Sequence, residues 1–161
     1  MRQQNPQYLK PTLLPAQGDD VLELDELWSY VGSKKREVWI WIALCRRTRQ
    51  VVAWHFGNRG ERTCRRLWEK VPDAYKRGRL YSDFWKAYQA VLPPEQHQAC
   101  GKEEGQTIHV ERFNLTLRQR LPRFVRKTLS FSKSYLMHVI QLRLFFVQYN
   151  QYCIKRFNTS H

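Results

Sequence analysis

Acidic residues are scarce in this 161-residue chain: 14 Asp and Glu stand against 28 Lys and Arg, a net charge of +14. The shortage is uneven. Residues 112–161 hold ten Lys and Arg and no acid, so +10 of the +14 lies there. Such a balance points to a polyanionic partner, nucleic acid first and a membrane surface second. Cysteine is also sparse. Cys45, Cys64, Cys100 and Cys153 are far apart and form no CxxC pair. That spacing is poor for zinc and gives no disulfide framework, so they read as reduced core thiols of an intracellular protein. Long apolar runs are missing too. "VWIWIALC" is too short to span a bilayer, and "YLMHVIQLRLFFVQY" is broken by His138, Gln141 and Arg143. The N-terminus has no apolar signal region. The expectation is a cytoplasmic, nucleoid-associated protein with no membrane partner.

What is present is a globular composition, 42% hydrophobic and 14% aromatic, in a length that suits one domain with a real core. Residues 1–20 are polar, with Pro6, Pro11 and Pro15 and no periodicity, and read as a loosely ordered leader or linker. From Val21 a strand begins. Leu22, Leu24, Trp28 and Tyr30 share one face, with Glu23 and Asp25 on the other. "VGSKK" reads as a turn, "EVWIWIALC" as a strand buried on both faces, "RRTRQ" as a polar link and "VVAWHFG" as a third strand. Short links favour an antiparallel meander.

A helix follows in "NRGERTCRRLWEKVP", where Asn58 and Glu61 have capping-box spacing and Pro72 is the stop. "GRLYSD" is a short strand after a helix, able to pair in parallel, with Asp83 at its C-terminal end. "FWKAYQAVLPP" is a short helix and "HQACGK" a fifth strand. "TIHVERFNLTLRQRL" is helical, with Thr107 as N-cap and Pro122 as stop. A longer helix runs through "SFSKSYLMHVIQLRLFFVQYNQY", capped near Ser132 or Ser134. Tyr135, Phe145, Phe146 and Tyr149 read as its core face. Three antiparallel strands followed by parallel additions is the order of a ribonuclease H-like α/β fold. The expected architecture is a mixed five-stranded sheet flanked by helices, with a basic C-terminal helix. The expected division is a leader at 1–20, a catalytic core at 21–125 and a basic helical extension at 126–161.

If the first and fourth strands are neighbours, Asp25 and Asp83 approach each other, and a helix packed on the sheet brings Glu111 to the same point. Three converging carboxylates repel one another unless a cation sits between them. Hard oxygen ligands select Mg²⁺ or Mn²⁺. Two such ions roughly 3.5–4 Å apart clamp a scissile phosphate. Glu111, Asn114 and Arg118 lie at i, i+3 and i+7 on one helical face, flanked by Arg112 and Arg120, a surface suited to a nucleic-acid backbone. Glu23 and Glu26 read as structural neighbours of this site. His55, His97, His109 and His138 have no metal-binding spacing.

The stretches "ELDELWSYVG", "LYSDFWKAY", "GQTIHVERFNLTLRQRL" and "RKTLSFSKS" resemble, in order, the insertion sequence 1 family of DDE transposases. The resemblance runs from about Glu23 to Tyr152. It implies a ribonuclease H-like core with two Mg²⁺ or Mn²⁺ ions on an acidic triad of Asp25, Asp83 and Glu111. It implies cleavage of DNA at transposon ends and joining of the 3′ ends to target DNA. Arg118 then matches the basic residue two turns after the glutamate. Asn114 and the segment from Ser130 to Ser134 match the motif, and Lys127 and Lys133 join the arginines as DNA contacts. Synapsis of two ends implies a homo-oligomer on DNA. Relatives resemble a fusion with an N-terminal zinc-binding, helix-turn-helix part, which residues 1–20 do not supply; such a part is an expected partner or fusion from an upstream frame. The competing reading is a non-catalytic DNA-binding relic or regulator of transposition on the same fold.

Overall fold

Residues 9–121 and 135–160 are described by the computed structural model. Their elements run β1 (Leu22–Val31), β2 (Ser33–Cys45), β3 (Val51–Gly57), α1 (Glu61–Lys70), β4 (Leu80–Ser82), α2 (Lys86–Val91), β5 (His97–Ala99), α3 (Ile108–Arg120) and α4 (Tyr135–Thr159). The sheet order is β3-β2-β1-β4-β5. The first three strands are antiparallel, and β4 and β5 add in parallel. The expected mixed five-stranded sheet, with β1 beside β4, is present. No described helix is long and apolar enough to cross a membrane.

Helices cover both sheet faces. On one, α1 and α2 bury Cys64, Leu67, Ala87 and Tyr88 against Leu22, Leu24, Trp41 and Leu80. On the other, α3 and α4 bury Val110, Phe113, Leu117, Leu142 and Phe146 against Leu27, Ile40, Ile42 and Trp54. The alternation along β1 therefore does not separate a core face from a solvated one. Glu23 and Asp25 share their face with Leu27 and lie beneath α3, and Glu23 is fully buried. All four cysteines are free and buried, as their spacing suggests.

Several boundaries shift. Gly32, at φ +73°, makes the reversal that the sequence spreads over five residues, and Lys34, Lys35 and Arg36 belong to the exposed start of β2. Asn58 does not cap α1. Its Oδ1 accepts from the Gly60 backbone N–H at 3.0 Å and the Thr63 hydroxyl at 2.7 Å, so the helix starts after Gly60. The expected caps of α4 at Ser132 and Ser134 lie outside the described residues, and α4 continues seven residues past Tyr152 to Thr159. Phe145 and Phe146 are core, Tyr149 packs against it, and Tyr135 rests on Phe56 while 47% exposed.

Residues 9–20 are not loose. Leu9 is buried with the α3–α4 core. The Leu14 N–H donates to Gln50 Oε1 at 2.8 Å, and Arg47 binds Asp20 at 2.6 Å and the Pro15 carbonyl at 2.9 Å. Contacts to such distant residues leave no local periodicity, which is why the sequence reads as a linker. Asn150 completes the stitching from α4. Fully buried, it accepts from the Val51 N–H and donates to the Val51 carbonyl and the Thr12 hydroxyl, each at 2.9 Å. Asn150→Ala strands those partners, an expected loss of about 2 kcal/mol. Thermal unfolding followed by circular dichroism should show a midpoint lower by about 4–8 °C.

Candidate active site

The cleft opens where β1 and β4 part. They pair only at Leu22–Leu80 and Glu23–Tyr81, and β4 ends at Ser82. From β1 the chain returns to one side through β2, while β4 and β5 extend the sheet on the other. Such a divide at a strand's C-terminal end is where open α/β sheets form crevices. Asp25 sits on β1 just beyond the last paired residue, and Asp83 just after β4. Glu111 comes from the first turn of α3, above the same gap.

These three and Glu26 line one cavity of about 490 Å³. Arg59, Lys102, Arg112 and Arg118 line it as well. Burial, then the charge of Glu26, and further Asp83 and Glu111, push the Asp25 carboxyl from its ordinary 3.8 up to about 7. Burial likewise raises Glu26, opposed by the Tyr88 hydroxyl and by Arg59, whose Nη2 lies 2.9 Å from Glu26 Oε1. The Arg59 guanidinium is held between the rings of Trp39 (4.5 Å) and Trp85 (4.3 Å).

Each carboxylate has a protein partner. Asp83 Oδ1 accepts the Trp85 N–H at 2.9 Å. Asp25 Oδ2 accepts from Asn114 Nδ2 at 2.6 Å, which leaves the buried Asn114 Oδ1 without a hydrogen-bond partner. Thr107, at the N-cap of α3, does not cap the backbone; its hydroxyl donates to Glu111 Oε1 at 2.7 Å. Among the described residues, no three His, Cys, Asp or Glu side chains are gathered closely enough to hold one ion. The oxygen-rich donor set still fits a hard divalent cation in kind. The elevated Asp25 carboxyl and the unpaired Asn114 oxygen are both groups that a nearby cation would satisfy.

The helix face read from spacing is real in part. Glu111, Asn114 and Arg118 all line the cleft, and Arg112 lies at its edge. Arg120 is exposed and does not line it, because nine residues on a helix turn about 180° from Glu111. Lys127 and Lys133 lie outside the described residues. Arg59, Lys102 and Thr107 have no place in the cleft on sequence grounds, since no spacing links them to the triad.

Two clamps hold α3 to β1. Glu23 Oε1 accepts the His109 backbone N–H at 3.0 Å, and Glu23 Oε2 lies 2.8 Å from His109 Nδ1. Glu23 thus supplies the helix-start acceptor that Thr107 does not. Burial lifts the Glu23 carboxyl to about 7 against the pull of Arg46, 3.5 Å away. The second clamp is Asn114 on Asp25.

Comparison with known proteins points the same way as the cleft. The family model for the IS1 transposase matches residues 21–152. The chain is similar to the insertion element iso-IS1n protein InsB of Shigella dysenteriae, 44% identical over 118 residues, which cover 73% of this chain and 87% of that protein. It is 40% identical over 116 residues to the insertion element IS1 protein InsB of Shigella flexneri, covering 72% and 86%. Over 141 residues it is 36% identical to the insertion element IS1 1 protein InsB of Escherichia coli K12, covering 86% and 81%.

Proposed function

Because this chain belongs to the IS1 transposase family, we propose that it cuts and joins DNA strands at the cleft between β1, β4 and α3. The core is ribonuclease H-like, a reading supported by the strand order and by the acids at the β1–β4 divide. Asp25, Asp83 and Glu111 are the catalytic and metal-holding residues. Two Mg²⁺ or Mn²⁺ ions there would activate the attacking water or 3′-hydroxyl and stabilise the leaving oxygen.

The chain's own groups do the rest. Glu111 gives up the Thr107 hydroxyl to turn into the cleft. Asn114 holds one Asp25 oxygen and so aims the other. Arg59 offsets part of the Glu26 charge, which otherwise adds further to the repulsion that raises Asp25. Lys102, Arg112 and Arg118 meet the phosphates on either side of the scissile one. Arg120, Lys127 and Lys133 are further DNA contacts in this reading, Arg120 from outside the cleft. Residues 21–125 form the catalytic unit and 126–161 the basic extension, and the protein acts on two DNA ends as a homo-oligomer. A zinc-binding, helix-turn-helix partner or fusion supplies end recognition.

The observation that carries this reading is that Asp25, Asp83 and Glu111, 86 residues apart at the extremes, line one cleft together with cations. A second reading, a DNA-binding relic or regulator, is favoured by the Glu111–Thr107 bond and the open spacing of the acids. Labelled DNA carrying the element's ends, with target DNA and Mg²⁺ or Mn²⁺, separates the two. The transposase reading expects cleaved ends and joined products that vanish with EDTA. Cutting without joining would identify a nuclease, and binding without either would identify the relic.

A further inference from the structure

Behind α3, on the side away from the cleft, lies a second cavity of about 550 Å³. This volume is within the ~300–1,000 Å³ typical of small-ligand sites. Arg47, Arg49, Arg112 and Arg156 line it, with Tyr149, Tyr152 and Phe157 as aromatic wall. No acid lines it among the described residues. Arg47 is spent on Asp20, and His109 on Glu23. Arg49 and Arg112 are exposed, and Arg156 lies over the Tyr152 ring at 5.9 Å.

Two details mark the cavity as built for an anion with a flat apolar part. Arg49 sits in the β2–β3 turn at φ 64°, the one non-glycine residue among the described residues with positive φ. An arginine gains nothing from that conformation, which costs a β-carbon residue on the order of 1 kcal/mol and favours Asn or Gly. Keeping arginine there places a guanidinium at the cavity mouth. The wall is also firm: Tyr149 packs edge-on against Phe113 at 4.7 Å and parallel to Phe145 at 6.2 Å.

Helix geometry joins this cavity to the cleft. Glu111, Asn114, Leu115 and Arg118 face the cleft, and His109, Phe113 and Thr116 face the cavity. Arg112 lies between the two sets and lines both. We infer that the arginine-lined cavity behind α3 binds one unpaired nucleotide of the DNA strand whose scissile phosphate lies in the cleft, with Arg112 bridging the two. Arg49 and Arg156 take the phosphate and the tyrosines take the base, whose face is free to stack only when the nucleotide is unpaired. The strand must cross a helix about 10 Å wide. An unpaired strand is more extended than the duplex rise of about 3.4 Å per nucleotide, so it covers that width in fewer than about three nucleotides. The site rests on the transposase reading for its register but not for its ligand.

The test uses the full chain and fluorescently labelled oligonucleotides, single-stranded and duplex. Arg49→Ala with Arg156→Ala, and separately Tyr152→Ala, change exposed side chains. Each is expected to weaken single-strand binding about tenfold, the scale of one missing stack or phosphate pair, and to change duplex binding by less than about twofold. The salt slope for single strands should fall by about 0.7 for each phosphate that is no longer neutralised. Equal losses on both DNA forms would reduce the cavity to a general basic patch and overturn the inference. So would unchanged single-strand binding. A 2-aminopurine walked along the strand should quench most at one position within about three nucleotides of the cut, and quench less in Tyr152→Ala. If Asp83 variants still cut while Tyr152→Ala loses the quench, the catalytic reading fails and the nucleotide site stands.

Discussion

Asp83→Asn is expected to slow strand cleavage at least ~10³-fold while leaving DNA affinity unchanged or slightly higher. The side chain is a clean target. Its Oδ1 accepts the Trp85 N–H at 2.9 Å, and an asparagine oxygen accepts the same bond, so the turn after β4 is preserved. What disappears is one negative charge in the cleft. If that charge holds a divalent ion, its loss removes several kcal/mol of transition-state stabilisation. Each 1.36 kcal/mol is a factor of ten, so about 4 kcal/mol gives the stated loss. Affinity moves the other way because a charge that repels phosphate is gone. Asp73→Asn is the matched control, since that side chain is fully exposed and makes only a 3.9 Å contact with Lys76. Gel-based cleavage and fluorescence anisotropy measure the two quantities. Equal cleavage by Asp83→Asn and the unaltered chain would remove the carboxylate from the mechanism.

Asp25→Asn is expected to stabilise the metal-free protein. The Asp25 carboxyl is raised from its ordinary 3.8 to about 7, by burial first and then by Glu26, Asp83 and Glu111. Between those two values the folded protein holds a proton that the unfolded chain has released. Stability from this group is therefore complete below about pH 4 and declines as pH rises through 7. Asparagine is neutral throughout and keeps an oxygen for Asn114. In EDTA the variant should match the unaltered chain near pH 4 and exceed it by about 4 kcal/mol near pH 8. That is an unfolding midpoint about 8–16 °C higher at the upper pH. Millimolar Mn²⁺ should narrow the gap, because a cation favours the ionised carboxylate. A difference that does not change with pH would mean that Asp25 is ionised at no cost. The comparison is made between the two proteins because Glu23 and Glu26 are raised as well and titrate in both.

Much of this site is legible in the sequence because its parts obey local periods. β1 alternates, which puts Glu23 and Asp25 on one side. α3 repeats every 3.6 residues, which puts Glu111, Asn114 and Arg118 on one face. The neighbouring of β1 and β4 is a condition that element order allows and the sheet meets. What escapes is tertiary. Glu23 reads only as a structural neighbour of the site; its partner, His109, is 86 residues away, and no period reaches that far. Residues 9–20 are held by Gln50, Tyr75 and Asn150 through isolated polar contacts that composition does not encode. Arg59 lies in a loop beside Gly60, and its two tryptophan neighbours are 20 and 26 residues away. Thr107 reads as a cap from its place before the helix, yet its hydroxyl serves Glu111.

The pair of clamps between β1 and α3 makes the two elements a matched ruler. Glu23 and Asp25 are two strand residues apart, about 6.8 Å. Their partners His109 and Asn114 are five helix residues apart, about 7.5 Å of rise. The two scales agree closely enough for both bonds to form at once. One residue inserted between Glu23 and Asp25 would send Asp25 to the opposite side of the sheet, and one inserted between His109 and Asn114 would swing Asn114 through about 100°. Length variation compatible with a working cleft is therefore confined to the connections, and neither rule can gain or lose a single graduation.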